Sequence, residues 1–336
     1  MKKLQPYSEE IVDDHRKVCW EIVGQRLDDV QAKFVDPRQI HYIQAIRQFI
    51  NEKDGFVATA DRLQDMVEYV EESIFLRSKK KKIPELYKTL NKELEEKVFS
   101  YEAWRSKAHA NSVMNEFVKR VKVCPYCNTE SVYTLEVIER DKTYKSAFDH
   151  FFPKSRYPFL GLSLYNLIPS CDRCNSKFKH DRCEETWNIL HPYLDDVDNV
   201  SRFVLVDFEE ILKGIASPGV GRAIQLRSLT GDGKPSKECE AHLKQYKALF
   251  GVDVVYSTLF QEKARETLQL GQVMNEKHLD EIKSWLAKSG LQGVDPWQLM
   301  FGTPLDRSQI DRHWLSKLKL DILEGYCGVP MPKERK

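Results

Sequence analysis

No stretch of this chain approaches the roughly 18 consecutive apolar residues that a membrane span requires. The two lysines of its opening MKKLQPYSEE have no apolar run behind them, so neither a spanning helix nor a secretory signal is expected. Charge of one sign is lacking too, since 52 basic and 51 acidic side chains leave +1 over 336 residues. Any basic surface must therefore be local. There is no internal repeat, and Gly231-Asp232-Gly233-Lys234 lacks the spacing of a phosphate-binding P-loop. The expected location is the cytoplasm, where cysteines are normally reduced.

What is present suits a folded protein with a proper core, at 41% hydrophobic and 31% charged residues. Residues 1–120 read as a helical region of four or five helices. Leu63, Met66, Val67, Val70 and Ile74 keep a helical stripe, Ile40, Ile43, Ile46 and Ile50 come close to one, and Pro37 and Pro84 suit first-turn positions. The run Arg77, Lys79, Lys80, Lys81 and Lys82 is a solvated loop on one reading and a contact to phosphate backbone on the other. Residues 121–193 form a compact module rich in cysteine, aromatic and turn residues. Residues 194–336 are mainly helical, with short strands at 203–208 and 223–229 and a turn at Gly231-Asp232-Gly233. The helical pattern resumes at Ser236 and runs to about Leu323, broken around Gly290 to Pro304. The fold class expected is α+β, mainly α.

Four of the eight cysteines form two Cys-x-x-Cys pairs, Cys124/Cys127 and Cys171/Cys174, with 43 residues between them. Each pair can turn two sulfurs to one ion, and four thiolates make a closed tetrahedral zinc site. Closed means structural, because no coordination position is left for water. A redox reading is poorer, since a thioredoxin-like site has one pair beside a βαβ unit. Cys19, Cys183, Cys239 and Cys327 are scattered and read as small hydrophobes.

Between the pairs lies AFDHFFPKS, in which Asp149 and His150 interrupt an apolar run. Asn166 follows sixteen residues later and Asn175 stands directly after the last paired cysteine. The text CPYC, FDHFFPKS and YNLIPSCDRCNSK resembles the HNH endonuclease family, over residues 121–180. That resemblance implies a ββα-metal module flanked by helical regions, with zinc knuckles beside a nuclease site. It implies His150 as general base, Asp149 and Asn175 as ligands of a catalytic Mg²⁺ or Mn²⁺, and Asn166 as the residue that orients the loop and the ring of His150. These residue types suit the chemistry. Histidine titrates near neutrality, hard divalent ions prefer oxygen ligands, and diester hydrolysis needs charge relief on the phosphate. Asn175 departs from the histidine often found there but still offers an oxygen. His180 reads as a solvated helix residue and His191 as a structural one.

Between Lys119 and Arg182 stand twelve basic and seven acidic side chains, a basic island in an otherwise slightly acidic chain and the footprint expected for nucleic acid. Four thiolates around Zn²⁺ would carry −2 and weaken that field. The C-terminal FGTPLDRSQIDRHWLSKLKLDIL also resembles PtuB-like nucleases of bacterial anti-phage systems such as Septu and some retrons. That implies a partner ATPase of the ABC type, PtuA-like. The chain carries no nucleotide-binding motif of its own. DNA is the expected substrate, with RNA open because nothing here reads a 2′-hydroxyl. A zinc-stabilised binding module that no longer cuts and a restriction-type, site-specific nuclease stand as alternatives.

Overall fold

The structure, a computed structural model, describes residues 1–76, 82–137, 142–180, 182, 188–206, 208–213 and 223–331. Arg77, Lys79, Lys80, Lys81 and Cys183 lie outside the described residues, so neither reading of the basic run is decided. The chain is mainly helical with small antiparallel sheets. Its contacts group it into two compact units. One comprises Leu4–Lys119 and Val132–Trp187, the other Met1–Lys3, Arg120–Ser131 and Asn188–Lys336.

The first unit opens with seven helices: α1 Glu9–Val23, α2 Arg26–Gln31, α3 Pro37–Glu52, α4 Ala60–Tyr69, α5 Glu85–Glu93, α6 Tyr101–Arg105 and α7 Ala108–Arg120. The sequence suggests four or five because α2 and α6, of six and five residues, are too short to show a period. Pro37 stands first in α3, behind Asp36, whose carboxylate accepts from the Arg38 N–H at 2.9 Å. The apolar stripe of α4 is buried as its spacing suggests, including Leu63, Val67 and Val70. Both α4 and α5 end in a wider π-turn, closed by Phe75 N–H on the Val70 carbonyl at 2.7 Å and by Phe99 N–H on the Leu94 carbonyl at 2.8 Å. Strands β1 Thr134–Val137 and β2 Lys142–Lys145 pair as a hairpin, and β3 Ala147–His150 pairs with β4 Leu167–Ser170.

The 16-residue loop from Phe151 to Asn166 is fastened to the helices along its length. Glu71, on the π-turn after α4, holds the Arg156 guanidinium through two bonds of 2.6 and 2.7 Å and accepts from the Tyr157 hydroxyl at 2.8 Å. Glu95, on the π-turn after α5, accepts from Lys154 at 2.5 Å. The Phe159 ring packs 6.3 Å from Tyr42 and 6.1 Å from Phe49, edge to face. Ser163 Oγ donates to the Gly55 carbonyl at 2.7 Å, and the Phe56 carbonyl accepts from Leu164 N–H at 2.8 Å.

In the second unit, α9 Val197–Val200 leads into β5 Ser201–Leu205, which pairs antiparallel with β6 Ile224–Ser228. The two strands expected after residue 200 therefore exist, but the first ends at Leu205 and Phe208 already opens α10, Phe208–Lys213. Then come α11 Lys237–Leu249, capped by Ser236, α12 Val252–Leu259, α13 Gln261–Val273, α14 Glu276–Lys288, α15 Pro296–Phe301 and α16 Ser316–Cys327. Helix α15 falls inside the expected break, started by Asp295 as cap and Pro296 as first residue. Lys317 is fully buried on α16 and bonds Asp198 and Asp321 at 3.0 Å each, while Arg307 bonds the same two carboxylates at 2.6 and 2.9 Å. A lone buried ammonium would be costly, and this reciprocal set compensates it. No described helix is long and apolar enough to cross a membrane.

His15 on α1 is fully buried and bonds the Leu162 carbonyl through Nε2 at 2.7 Å, with His109 Nε2 at 3.2 Å from its Nδ1. Burial pulls its pKa down to about 3, more than the carbonyl bond raises it, and His109 lowers it further. An unfolded histidine takes up a proton below about pH 6.5, whereas the folded His15 does not until about pH 3. Stability should therefore fall as pH is lowered through that window. Urea unfolding at pH 7 and pH 5.5 should show the loss, and His15→Gln should flatten the dependence. An unchanged pH slope in that variant would contradict the assignment.

Candidate functional site

Strands β3 and β4 pair in the register Ala147↔Ser170, Phe148↔Pro169, Asp149↔Ile168 and His150↔Leu167. They are followed by α8, Arg173–Lys179, a segment wound as a π-helix and closed by His180 N–H on the Asn175 carbonyl at 2.8 Å. The order is strand, strand, helix. At its open end, Asp149, His150 and Asn175 line one cleft of about 500 Å³ with Glu95, Lys154 and His180. Three of the four polar residues singled out in the sequence thus share one surface. The fourth, Asn166, is fully buried beneath it.

His150 is held by its backbone neighbours. Its Nε2 lies 3.0 Å from the Gly161 carbonyl, and a carbonyl only accepts, so Nε2 carries the proton. In the neutral ring the lone pair is then on Nδ1, which has no hydrogen-bond partner among the described residues. The ring of Tyr101, on α6, stands edge-on at 4.6 Å. Burial pulls the His150 pKa down to about 3, opposed by the Gly161 bond and assisted by the Lys154 and Lys179 ammonium groups. The ring is therefore neutral at neutral pH.

Asn166 explains why Gly161 is where it is. Its Nδ2 donates to the Phe152 carbonyl at 3.0 Å and the Leu160 carbonyl at 2.9 Å, and its Oδ1 accepts from Phe152 N–H at 2.7 Å. Both ends of the loop are tied to one buried amide. Gly161 sits where a Cβ would come within 3.0 Å of the Pro158 carbonyl and 3.4 Å of that of Phe99.

Asp149 is buried and its Oδ1 accepts from Lys179 Nζ at 2.9 Å, while the same ammonium donates to the His150 carbonyl at 2.5 Å. Nothing in the sequence distinguishes Lys179, which stands near Lys177 at the end of α8. Tyr101 and Glu95 lie about fifty residues upstream in the helical region and carry no motif. His180 is exposed at the end of α8 with φ +46°, an uncommon left-handed conformation. His191 belongs to the other unit, is buried, and accepts from Tyr193 N–H through Nδ1 at 3.0 Å.

The four paired cysteines are buried and their sulfurs all lie within 4.8 Å of one another. Four thiols in that arrangement are a donor set for a metal such as zinc. Both Cys-x-x-Cys turns are wound alike: Asn128 N–H donates to the Cys124 carbonyl at 2.8 Å, and Asn175 N–H to the Cys171 carbonyl at 3.0 Å. The Thr129 hydroxyl adds a donor to Cys127 Sγ at 3.1 Å, as suits a thiolate. Cys19, Cys239 and Cys327 stand outside this group, and burial pushes the thiol pKa up in all three.

Over 92 residues the chain is 33% identical to the Septu protein PtuB of Bacillus thuringiensis. The matched stretch is 27% of this chain and 35% of that protein. No family model matches the chain, and no solved structure does.

Two outcomes follow from this geometry. Purified protein should hold about one zinc per chain by elemental analysis, and Cys171→Ser should lose both the metal and the fold around it, since binding and folding are coupled in such sites. Well-folded protein without zinc would contradict this. Asn166→Ala strands buried partners at about 1–3 kcal/mol each and should lower the unfolding free energy by at least about 2 kcal/mol in urea titration. An effect within about 0.5 kcal/mol, as for an ordinary surface site, would remove Asn166 from this role.

Proposed function

We propose that the chain is a metal-dependent endonuclease of the HNH type, with Asp149, His150, Asn166 and Asn175 as its site. The observation that carries the reading is His150: a histidine with Nε2–H tied to a backbone carbonyl and the Nδ1 lone pair left over, in a cleft shared with a carboxylate and an amide oxygen. Such a ring accepts a proton from water as the oxygen attacks phosphorus. A bound diester anion favours the protonated ring and so raises a pKa that burial has lowered. Asn166 keeps the ring oriented through the loop. Asp149 and Asn175 are the oxygen donors that would hold Mg²⁺ or Mn²⁺, which would relieve charge on the scissile phosphate and the leaving oxygen. The Lys179 ion pair is compatible with that role, because a carboxylate offers about four lone-pair sites.

The likeness to a Septu protein supports a place in bacterial anti-phage defence beside a partner ATPase. In our reading that ATPase is of the ABC type and the substrate is DNA. In this reading ATP control comes from the partner, since the chain carries no nucleotide-binding motif. The Asp149–Lys179 pair is also what favours the second reading, a zinc-stabilised nucleic-acid-binding module that does not cut. A cleavage assay separates the two.

His150→Ala, purified with its co-expressed partner and assayed on plasmid with manganese, should cut about 10²- to 10⁴-fold more slowly while keeping its zinc. Asp149→Ala would strand the buried Lys179 at a cost of about 3–5 kcal/mol, so Asp149→Asn is the cleaner variant. Asp149→Asn and Asn175→Ala should fail at low metal and recover partly in excess manganese, which should not rescue His150→Ala. Undiminished cutting by His150→Ala would refute the nuclease reading of this cleft.

A further inference from the structure

The first unit has a second open pocket, of about 450 Å³, lined by Arg105, Asn111, Lys142, Thr143, Tyr144 and Lys145, with Ser106. It adjoins the proposed nuclease cleft through two elements. Helix α6 carries Tyr101, whose ring packs on His150, and one turn later Arg105, whose Nη1 donates to the Tyr101 hydroxyl at 3.1 Å. Strand β2 carries Lys142 to Lys145 and passes through Ser146 directly into β3, which ends at His150.

Several lysines of the unit are neutralised where they stand. Lys33, Lys97, Lys154 and Lys179 each pair with a carboxylate. Arg105, Lys142 and Lys145 have no carboxylate partner among the described residues. Lys145 Nζ donates instead to neutral oxygens, Asn111 Oδ1 at 2.7 Å and the Arg105 carbonyl at 3.1 Å. Those bonds aim the ammonium without neutralising it, and burial together with the Arg105 guanidinium lowers its pKa to about 8. Lys142 lies 5.3 Å from the centre of the exposed Tyr144 ring. Three uncompensated cations among hydroxyl and amide groups form a setting for an anion. An exposed ring beside them is where a base can stack.

We infer that this pocket is a second phosphate site, which takes a neighbouring backbone phosphate of the nucleic-acid strand whose bond is presented at His150. The inference rests on the nuclease reading and names where its substrate lies. Lys142, Lys145 and the Arg105 fork hold the phosphate oxygens, and Tyr144 supports the adjoining base. The site thereby sets the register of the strand in the cleft.

The test is binding of a labelled 30-nucleotide oligonucleotide, single-stranded and duplex, to full-length zinc-loaded protein carrying His150→Ala, across a series of salt concentrations. Adding Lys142→Gln or Lys145→Gln should each lower the salt slope of log K by about 0.7 for the single strand and about 0.9 for the duplex. Lys142 is exposed, with its ammonium over the neighbouring Tyr144 ring, so it decides the matter should Lys145→Gln misfold. In proteins with an intact His150, both variants should cut the long strand more slowly and hydrolyse bis(p-nitrophenyl) phosphate, which occupies only the scissile position, at the parent rate. Unchanged salt slopes would overturn the inference. So would an equal loss on the small diester, which would make the lysines structural, or displacement of the oligonucleotide by equimolar inorganic phosphate, which would make this a simple anion site. Because binding is read in a protein that does not cut, failure of the nuclease reading shows separately, as a parent that cleaves neither substrate.

Discussion

Asn166 closes the loop from Phe151 to Asn166 on itself, with both amide protons and the amide oxygen bonded to backbone at Phe152 and Leu160. The rest of the site depends on that closure. Leu160, held by Asn166, precedes Gly161, whose carbonyl takes the Nε2–H of His150. The orientation of the histidine is thus set by a buried amide that never meets solvent. In the proposed nuclease, a side chain held in this way would need no reorganisation at the moment of reaction, which is where preorganised sites gain their advantage.

The helical region before residue 120 serves the same loop. Two π-turns each present a glutamate to it, Glu71 to Arg156 and Glu95 to Lys154, and π-turns often mark functional positions. The His15 and Gly55 contacts fix its far end. On the other side of the cleft, Asn175 is tied by its N–H to the Cys171 carbonyl, so the turn that presents a sulfur also places an amide in the cleft. A cysteine of the metal donor set and a proposed catalytic residue are neighbours along one turn.

Much of this is legible in the sequence, and the limits have physical causes. Metal ligation constrains both residue type and spacing, so Cys124, Cys127, Cys171 and Cys174 can be read directly, and their sulfurs do come together. Asp149 and His150 stand out because polar residues in an apolar run require a reason. Lys179 gives no such signal, because a buried lysine beside Lys177 looks the same in sequence as a solvated one. Lys317 and Asp321, four residues apart on α16, carry no sequence signal of burial, yet both are buried in a network with Asp198 and Arg307. Helix periodicity finds α3 and α4 but not α2 or α6, which span fewer than two turns. Tyr101 on α6 is missed for that reason, although its ring packs on His150.

The central claim is that a backbone carbonyl fixes His150 as a neutral base with its lone pair on Nδ1. Long-range ¹⁵N–¹H correlation of the imidazole rings at pH 7, with His150 assigned by comparison to His150→Ala, measures this directly. The account predicts a neutral ring protonated at Nε2. A ring protonated at Nδ1, or a doubly protonated imidazolium, would contradict it.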